Sequence, residues 1–160
     1  MSKLKWPAIP AIVLLVGILG TVSWVLSTSR ASSGGEAVTV YKTPTCGCCT
    51  KWAERLSRAG FAVETVELRD LARVKTAHGL PERLASCHTA LVGGYVVEGH
   101  VPIADIERLL RERPAISGLA VPGMPIGSPG MEGPNPEPYE VFSFDATGVL
   151  SVFASHGPGV

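Results

Sequence analysis

Residues 43–52 read TPTCGCCTKW, with three cysteines in four positions. Cys46 and Cys49 have the C-x-x-C spacing of a thiol–disulfide redox centre, in which a helix N-terminus lowers the pKa of the leading thiol. Cys48 departs from that pattern, because a third thiolate beside a dithiol makes a trap for a soft metal. The stretch sits between two readable elements. Before it, AVTVYK (37–42) is β-rich, with Val38, Val40 and Lys42 facing opposite to Thr39 and Tyr41. After the expected loop TPTCGCC, Trp52, Leu56 and Ala59 recur at helical spacing, and Gly60 supplies a helix stop.

Downstream, FAVETVEL (61–68) alternates as a second strand, and Asp70 caps a helix running to about His78, with Gly79 ending it. Pro81 opens a short turn through Leu84. TALV and YVVE flank Gly93-Gly94, a hairpin signal. VPIADIERLLRER then places Ile103, Ile106, Leu109 and Leu110 on one helical face behind Pro102. The order β-α-β-α-β-β-α, with cysteines at the first strand–helix junction, predicts an α/β, thioredoxin-like fold. The crossover rule makes the first two strands parallel and the Gly-Gly turn makes the last two antiparallel. Residues 120–138 are dense in Gly and Pro and read as an added loop carrying Met124 and Met131; YEVFSFD and VLSVFASH form a C-terminal β-hairpin.

This topology starts the third strand at the edge where the first one ends, so Cys87 and His88 are expected beside the CGCC loop. CHTA stands there in place of the X-Pro of thioredoxin relatives, substituting two ligand types for a substrate-holding proline. The hairpin's return strand brings His100 to the same edge. His78, in the last turn of a helix, reads as a dipole partner, and His156 as a solvated residue that could close over the site.

The N-terminus is a different kind of segment. Lys3 and Lys5 precede an uncharged run from Pro7 to Leu26, long enough to span a bilayer core of about 30 Å as helix. It exceeds the roughly 7–15 residues of a signal-peptide apolar region. An anchor over residues 1–30 is expected, with a cleaved signal peptide as the alternative, then a linker (31–37) and one domain (38–156). The flanking lysines leave the N-terminus inside and export the rest, which points to a periplasmic location at the inner membrane. Of 14 Lys/Arg only three precede Glu36, and no Asp/Glu does, so the remainder is mildly acidic. Without a basic stripe, nucleic acid is excluded as a partner.

Cys46, Cys48 and Cys49 are too close together to staple distant segments, and only Cys87 is remote, so a two-disulfide framework is not expected. Soft thiolate and thioether donors select copper as Cu(I), with zinc as runner-up. Four thiolates can hold one tetrahedral zinc, but C-x-C-C is cramped for that, and thiolates bridging several Cu(I) ions relieve the crowding. The candidate metal ligands are therefore Cys46, Cys48, Cys49, Cys87, His88, His100, Met124 and Met131. If the site is instead catalytic, Cys46 and Cys49 form a thiol–disulfide oxidoreductase pair.

KTPTCGCCTKW, LASCHTALVGGYVVEGHVP and GLAVPGMPIGSPGME, in that order, resemble three signature blocks of the domain of unknown function 411 family, the CopG-like copper-resistance proteins. The resemblance covers about residues 38–155. It implies a periplasmic, thioredoxin-like, copper-binding protein of copper resistance, working among other proteins of that system. It puts metal thiolates on Cys46, Cys48, Cys49 and Cys87 and a methionine block on Met124 and Met131. Copper binding and thiol or copper redox both remain open at this point.

Overall fold

A computed structural model describes residues 34–159. The anchor expected over residues 7–26 lies outside the described residues, and among those described no helix is long and apolar enough to cross a membrane. The fold is mixed α/β, built on one seven-stranded sheet in the order β2-β1-β3-β4-β5-β6-β7. The strands are β1 (Ala37–Lys42), β2 (Ala62–Glu67), β3 (His88–Val92), β4 (Tyr95–Glu98), β5 (Gly118–Ala120), β6 (Tyr139–Phe144) and β7 (Leu150–His156). Helices α1 (Gly47–Arg58), α2 (Ala72–Ala77) and α3 (Ile103–Glu112), with a 3₁₀ turn at Glu82–Leu84, connect them.

The expected order β-α-β-α-β-β-α is observed through α3. β1 pairs parallel with β2 and antiparallel with β3, and β3 pairs antiparallel with β4. Gly93 and Gly94, at φ 55° and 88°, make the intervening turn because both positions need the left-handed region. Three features differ from the sequence expectation: α2 starts at Ala72 with Leu71 as its N-cap, and Asp70, expected as the cap, stands one residue earlier while still accepting from the Ala72 N–H at 2.9 Å. α1 begins at Gly47, so Cys48 and Cys49 lie in its first turn instead of in a loop. The stretch before the Gly/Pro loop forms β5, parallel to β4 and antiparallel to β6, so the C-terminal hairpin extends the main sheet. A three-residue strand that includes a glycine is too short to show a period.

α1 and α3 cover one face of the sheet. Trp52 and Leu56 pack there with Ile106, Leu109, Val38, Val40, Val97 and Val101, all essentially buried. Each such aliphatic side chain contributes about 1.5–3 kcal/mol on burial. The opposite face buries Leu80, Leu84, Val96, Ala120 and Phe144. With a layer on both faces, YVVE of β4 is buried at all four positions. That geometry puts Glu98 inside.

Candidate metal centre

Register brings the site together. Lys42 at the end of β1 pairs with His88 at the start of β3, so the β1–α1 loop and the Ser86-Cys87 turn share one edge of the sheet. The Sγ atoms of Cys46, Cys48, Cys49 and Cys87 lie within 4.8 Å of one another. A second group of mutually close ligand atoms, Cys87, His88 and His100, shares Cys87 with the first. The structure thus gathers all four cysteines and both histidines singled out in the sequence.

Cys46 and Cys49, with Cα atoms 5.4 Å apart, are joined in a disulfide, while Cys48 and Cys87 are free. Two of the four expected thiolates are therefore absent as donors in this state. Cys46 is the N-cap of α1 and no acidic residue occupies the first turn, so the helix's partial positive charge faces the sulfurs unopposed. Cys48 Sγ lies 3.5 Å from Cys46 Sγ, and the buried Cys49 Sγ lies 3.7 Å from the Cys87 carbonyl.

Proton positions follow from the partners. His100 Nδ1 is 2.8 Å from the Pro129 carbonyl, which can only accept, so Nδ1 carries the hydrogen. Burial lowers the His100 pKa, against the opposing pulls of the Pro129 carbonyl and the Glu132 charge, and leaves the ring neutral with a bare Nε2. That nitrogen faces Cys87 Sγ at 3.0 Å. Burial, reinforced by Cys48, pushes the Cys87 thiol up to about 12, so without metal it keeps its proton and donates it to His100. The Cys87 sulfur also lies 3.3 Å from His88 Nδ1. The His88 pKa is lowered well below the usual value by burial, then by His100 and Lys75. Its ring packs 4.4 Å from Trp52 and edge-on to His100 at 5.1 Å, and its buried Nε2 has no hydrogen-bond partner among the described residues. Trp52 is itself fixed by donation to the Val101 carbonyl at 2.9 Å.

Under this pocket sits a buried ion pair that the sequence reading missed. Glu98, fully buried, accepts from Lys75 Nζ, from Ser86 N–H at 2.6 Å and from Thr89 Oγ1 at 2.6 Å. It anchors the turn that presents Cys87. Burial raises its pKa, against the lowering influence of Lys75 and its hydrogen-bond donors. The available signal was a glutamate closing the apolar run YVV, which reads as an exposed strand end unless both faces are known to be covered.

The Gly/Pro loop crosses the site. Ser86 Oγ donates to the Gly123 carbonyl, and Gly130 is buried. Met124 is exposed next to Gly123, and half-buried Met131 follows Gly130. His156 is partly exposed, but its ring is held by partners in α3 and β6 instead of being free in solvent. Its Nε2 lies 2.6 Å from Asp105 Oδ2 and its ring stacks on Tyr139, because β7 returns alongside β6 and delivers it to the first turn of α3. His78 is the exposed C-cap residue of α2.

Two solved structures are similar over most of this architecture. One, described as "Copper resistance protein copG- Form 2", is 43% identical, with a TM-score of 0.73, and the match covers 77% of this chain and 99% of that one. The other, "Copper resistance protein copG- Form 1", is 44% identical, with a TM-score of 0.71 and coverage of 75% and 96%. The family model "Protein of unknown function, DUF411" matches residues 84–131, from the Cys87 turn to Met131. The chain belongs to the CopG-like DUF411 family. No curated protein matches it. The region matched by the DUF411 model holds Cys87, His88, His100 and the Gly/Pro loop as far as Met131, whereas the CGCC stretch lies upstream of it.

Proposed function

We propose that this DUF411 protein handles copper, binding Cu(I) as cargo through Cys46, Cys48, Cys49 and Cys87, with His88 and His100 as nitrogen donors and Met124 and Met131 as thioether donors at the mouth. The observation that carries this reading is the meeting of four sulfurs in one group and of Cys87, His88 and His100 in a second that shares Cys87, with His88 Nε2 buried and unpartnered among the described residues. A soft, sulfur-rich set of this kind favours Cu(I) over harder ions, with zinc next. The spacing of Cys46, Cys48 and Cys49 suits thiolates bridging several ions. The copper-resistance names of the two similar structures agree with the metal.

The first four strands and three helices are read as a thioredoxin-like core. The N-terminal segment is read as an inner-membrane anchor or signal that places the domain in the periplasm, where it serves copper resistance alongside other proteins of that system. A second reading, thiol–disulfide oxidoreductase, is favoured by the Cys46–Cys49 disulfide at the N-terminus of α1. The two readings meet in one requirement. A disulfide sulfur is not a thiolate ligand, so full loading needs two electrons, supplied by a thiol or phosphine reductant, to regenerate Cys46 and Cys49.

Anaerobic Cu(I) titration of the full chain against a chromogenic chelator tests this. The reduced chain is expected to bind at least one Cu(I), and more than the oxidised chain. Equal, sub-stoichiometric binding in both states refutes the copper reading.

A further inference from the structure

Residues 123–132 lie across the site as a strap, and one end is fastened by a chain of contacts from the surface to His100. Arg55 of α1 donates to Glu132 Oε1 at 2.6 Å, and the same oxygen receives the Gly130 N–H at 2.7 Å. Gly130 is seated against the site: a Cβ there would stand 2.8 Å from the Cys48 carbonyl and 3.3 Å from both His100 Nδ1 and Trp52 N. Its φ of +91° also disfavours any side chain. The preceding residue contributes the Pro129 carbonyl that receives His100 Nδ1–H.

We propose that Glu132 and Arg55 are positioning residues for His100, clamping the Gly130 amide so that the Pro129 carbonyl selects the Nδ1–H tautomer and leaves Nε2 bare toward Cys87. A neutral imidazole has two tautomers, and the partner of one nitrogen decides which lone pair the other offers. Backbone carbonyls commonly play this part behind metal-bound histidines, fixing both ring orientation and basicity. Here the carbonyl belongs to a Gly/Pro strap with little regular structure of its own, so its placement depends on fastenings. Arg55 lies on the helix that carries Cys48 and Cys49, so the brace also ties His100 to the thiol side of the pocket. The Arg55 and Glu132 side chains are 43% and 50% exposed, so substitutions there leave the core packing intact. The consequence for copper rests on the function proposed above; the consequence for the His100 tautomer does not.

The test uses nitrogen-15 NMR of the histidine rings in the reduced, metal-free full chain, followed by copper release to a chelator. The wild type is expected to show His100 as the Nδ1–H tautomer. Glu132→Ala mixes in the other tautomer and speeds copper release by roughly 3- to 10-fold, below the roughly 10- to 100-fold typical of losing a direct partner of a liganding histidine. Glu132→Gln, which keeps an acceptor for the Gly130 amide but no charge for Arg55, falls between. Glu54→Gln, which breaks the neighbouring exposed Arg58–Glu54 pair, changes neither readout. An unchanged tautomer in Glu132→Ala, or an equal effect of Glu54→Gln, overturns the brace whatever copper does. A mixed tautomer in a chain that takes up no copper upholds the brace and refutes the copper reading.

Discussion

His100 and His156 are tied into the same fold in opposite ways. His156 meets a carboxylate: Asp105 claims its Nε2 at 2.6 Å, Tyr139 stacks on the ring, and nearby Arg108 lies over the Phe153 ring at 3.7 Å while donating to the Phe153 carbonyl. Those contacts fasten the C-terminal hairpin to α3. His100 meets a thiol, with its Nδ1–H committed to a carbonyl and its Nε2 turned to Cys87, beside a second imidazole with an unpartnered nitrogen. The difference is in what stands opposite each ring. Hard partners make a clip, whereas soft groups with spare lone pairs make a site. Each region keeps a buried nitrogen without a hydrogen-bond partner among the described residues, but Arg108 Nε near the clip is an N–H with no lone pair to offer, whereas His88 Nε2 beside His100 can ligate.

The sharpest way to break that contrast is to remove the sulfur common to both ligand groups. Cys87→Ser is expected to weaken Cu(I) binding by at least about 100-fold, the upper range for a disturbed metal shell, in a competition titration. Retention of wild-type affinity would mean that Cys87 is a core thiol. A smaller effect, read as stability, comes from Glu98→Gln, which strands Lys75 beneath the Cys87 turn. Breaking a buried pair costs about 3–5 kcal/mol, and the lower end is expected because Lys75 keeps some contact with water. Urea unfolding measures it, and a loss under about 1 kcal/mol would show that the pair does not hold the turn. The smallest effect belongs to the clip. His156→Ala is expected to cost about 1 kcal/mol, given the partial exposure of the histidine, with copper stoichiometry unchanged. A change in stoichiometry would erase the distinction between the two histidines.

The sequence displayed one of these regions far better than the other. Short spacings and strand order brought Cys46, Cys48, Cys49, Cys87, His88 and His100 to one edge, because antiparallel pairing of β1 with β3 leaves little freedom in where Cys87 falls. Side-chain pairs formed across the fold left no local trace. Asp105 and His156 are 51 residues apart, and nothing near either one announces the other. Glu98 reads as a polar strand end because the apolar layer on that face of the sheet, from Leu80, Leu84 and Phe144, comes from the stretch between α2 and β3 and from β6, both remote from β4 in sequence. Strand β5 escaped for a related reason: GLA is a strand only because β4 and β6 lie on either side of it. The Cys46–Cys49 disulfide was visible as a spacing, whereas its coexistence with a free Cys48 and Cys87 is a property of the folded site.

X-ray absorption at the copper edge of the reduced, Cu(I)-loaded full chain tests most directly whether copper is held by sulfur at this site. The expected spectrum shows Cu(I) with a sulfur-dominated first shell, a minor nitrogen contribution and a copper–copper vector from bridging thiolates. A first shell of oxygen and nitrogen without sulfur would rule out copper held by these thiolates.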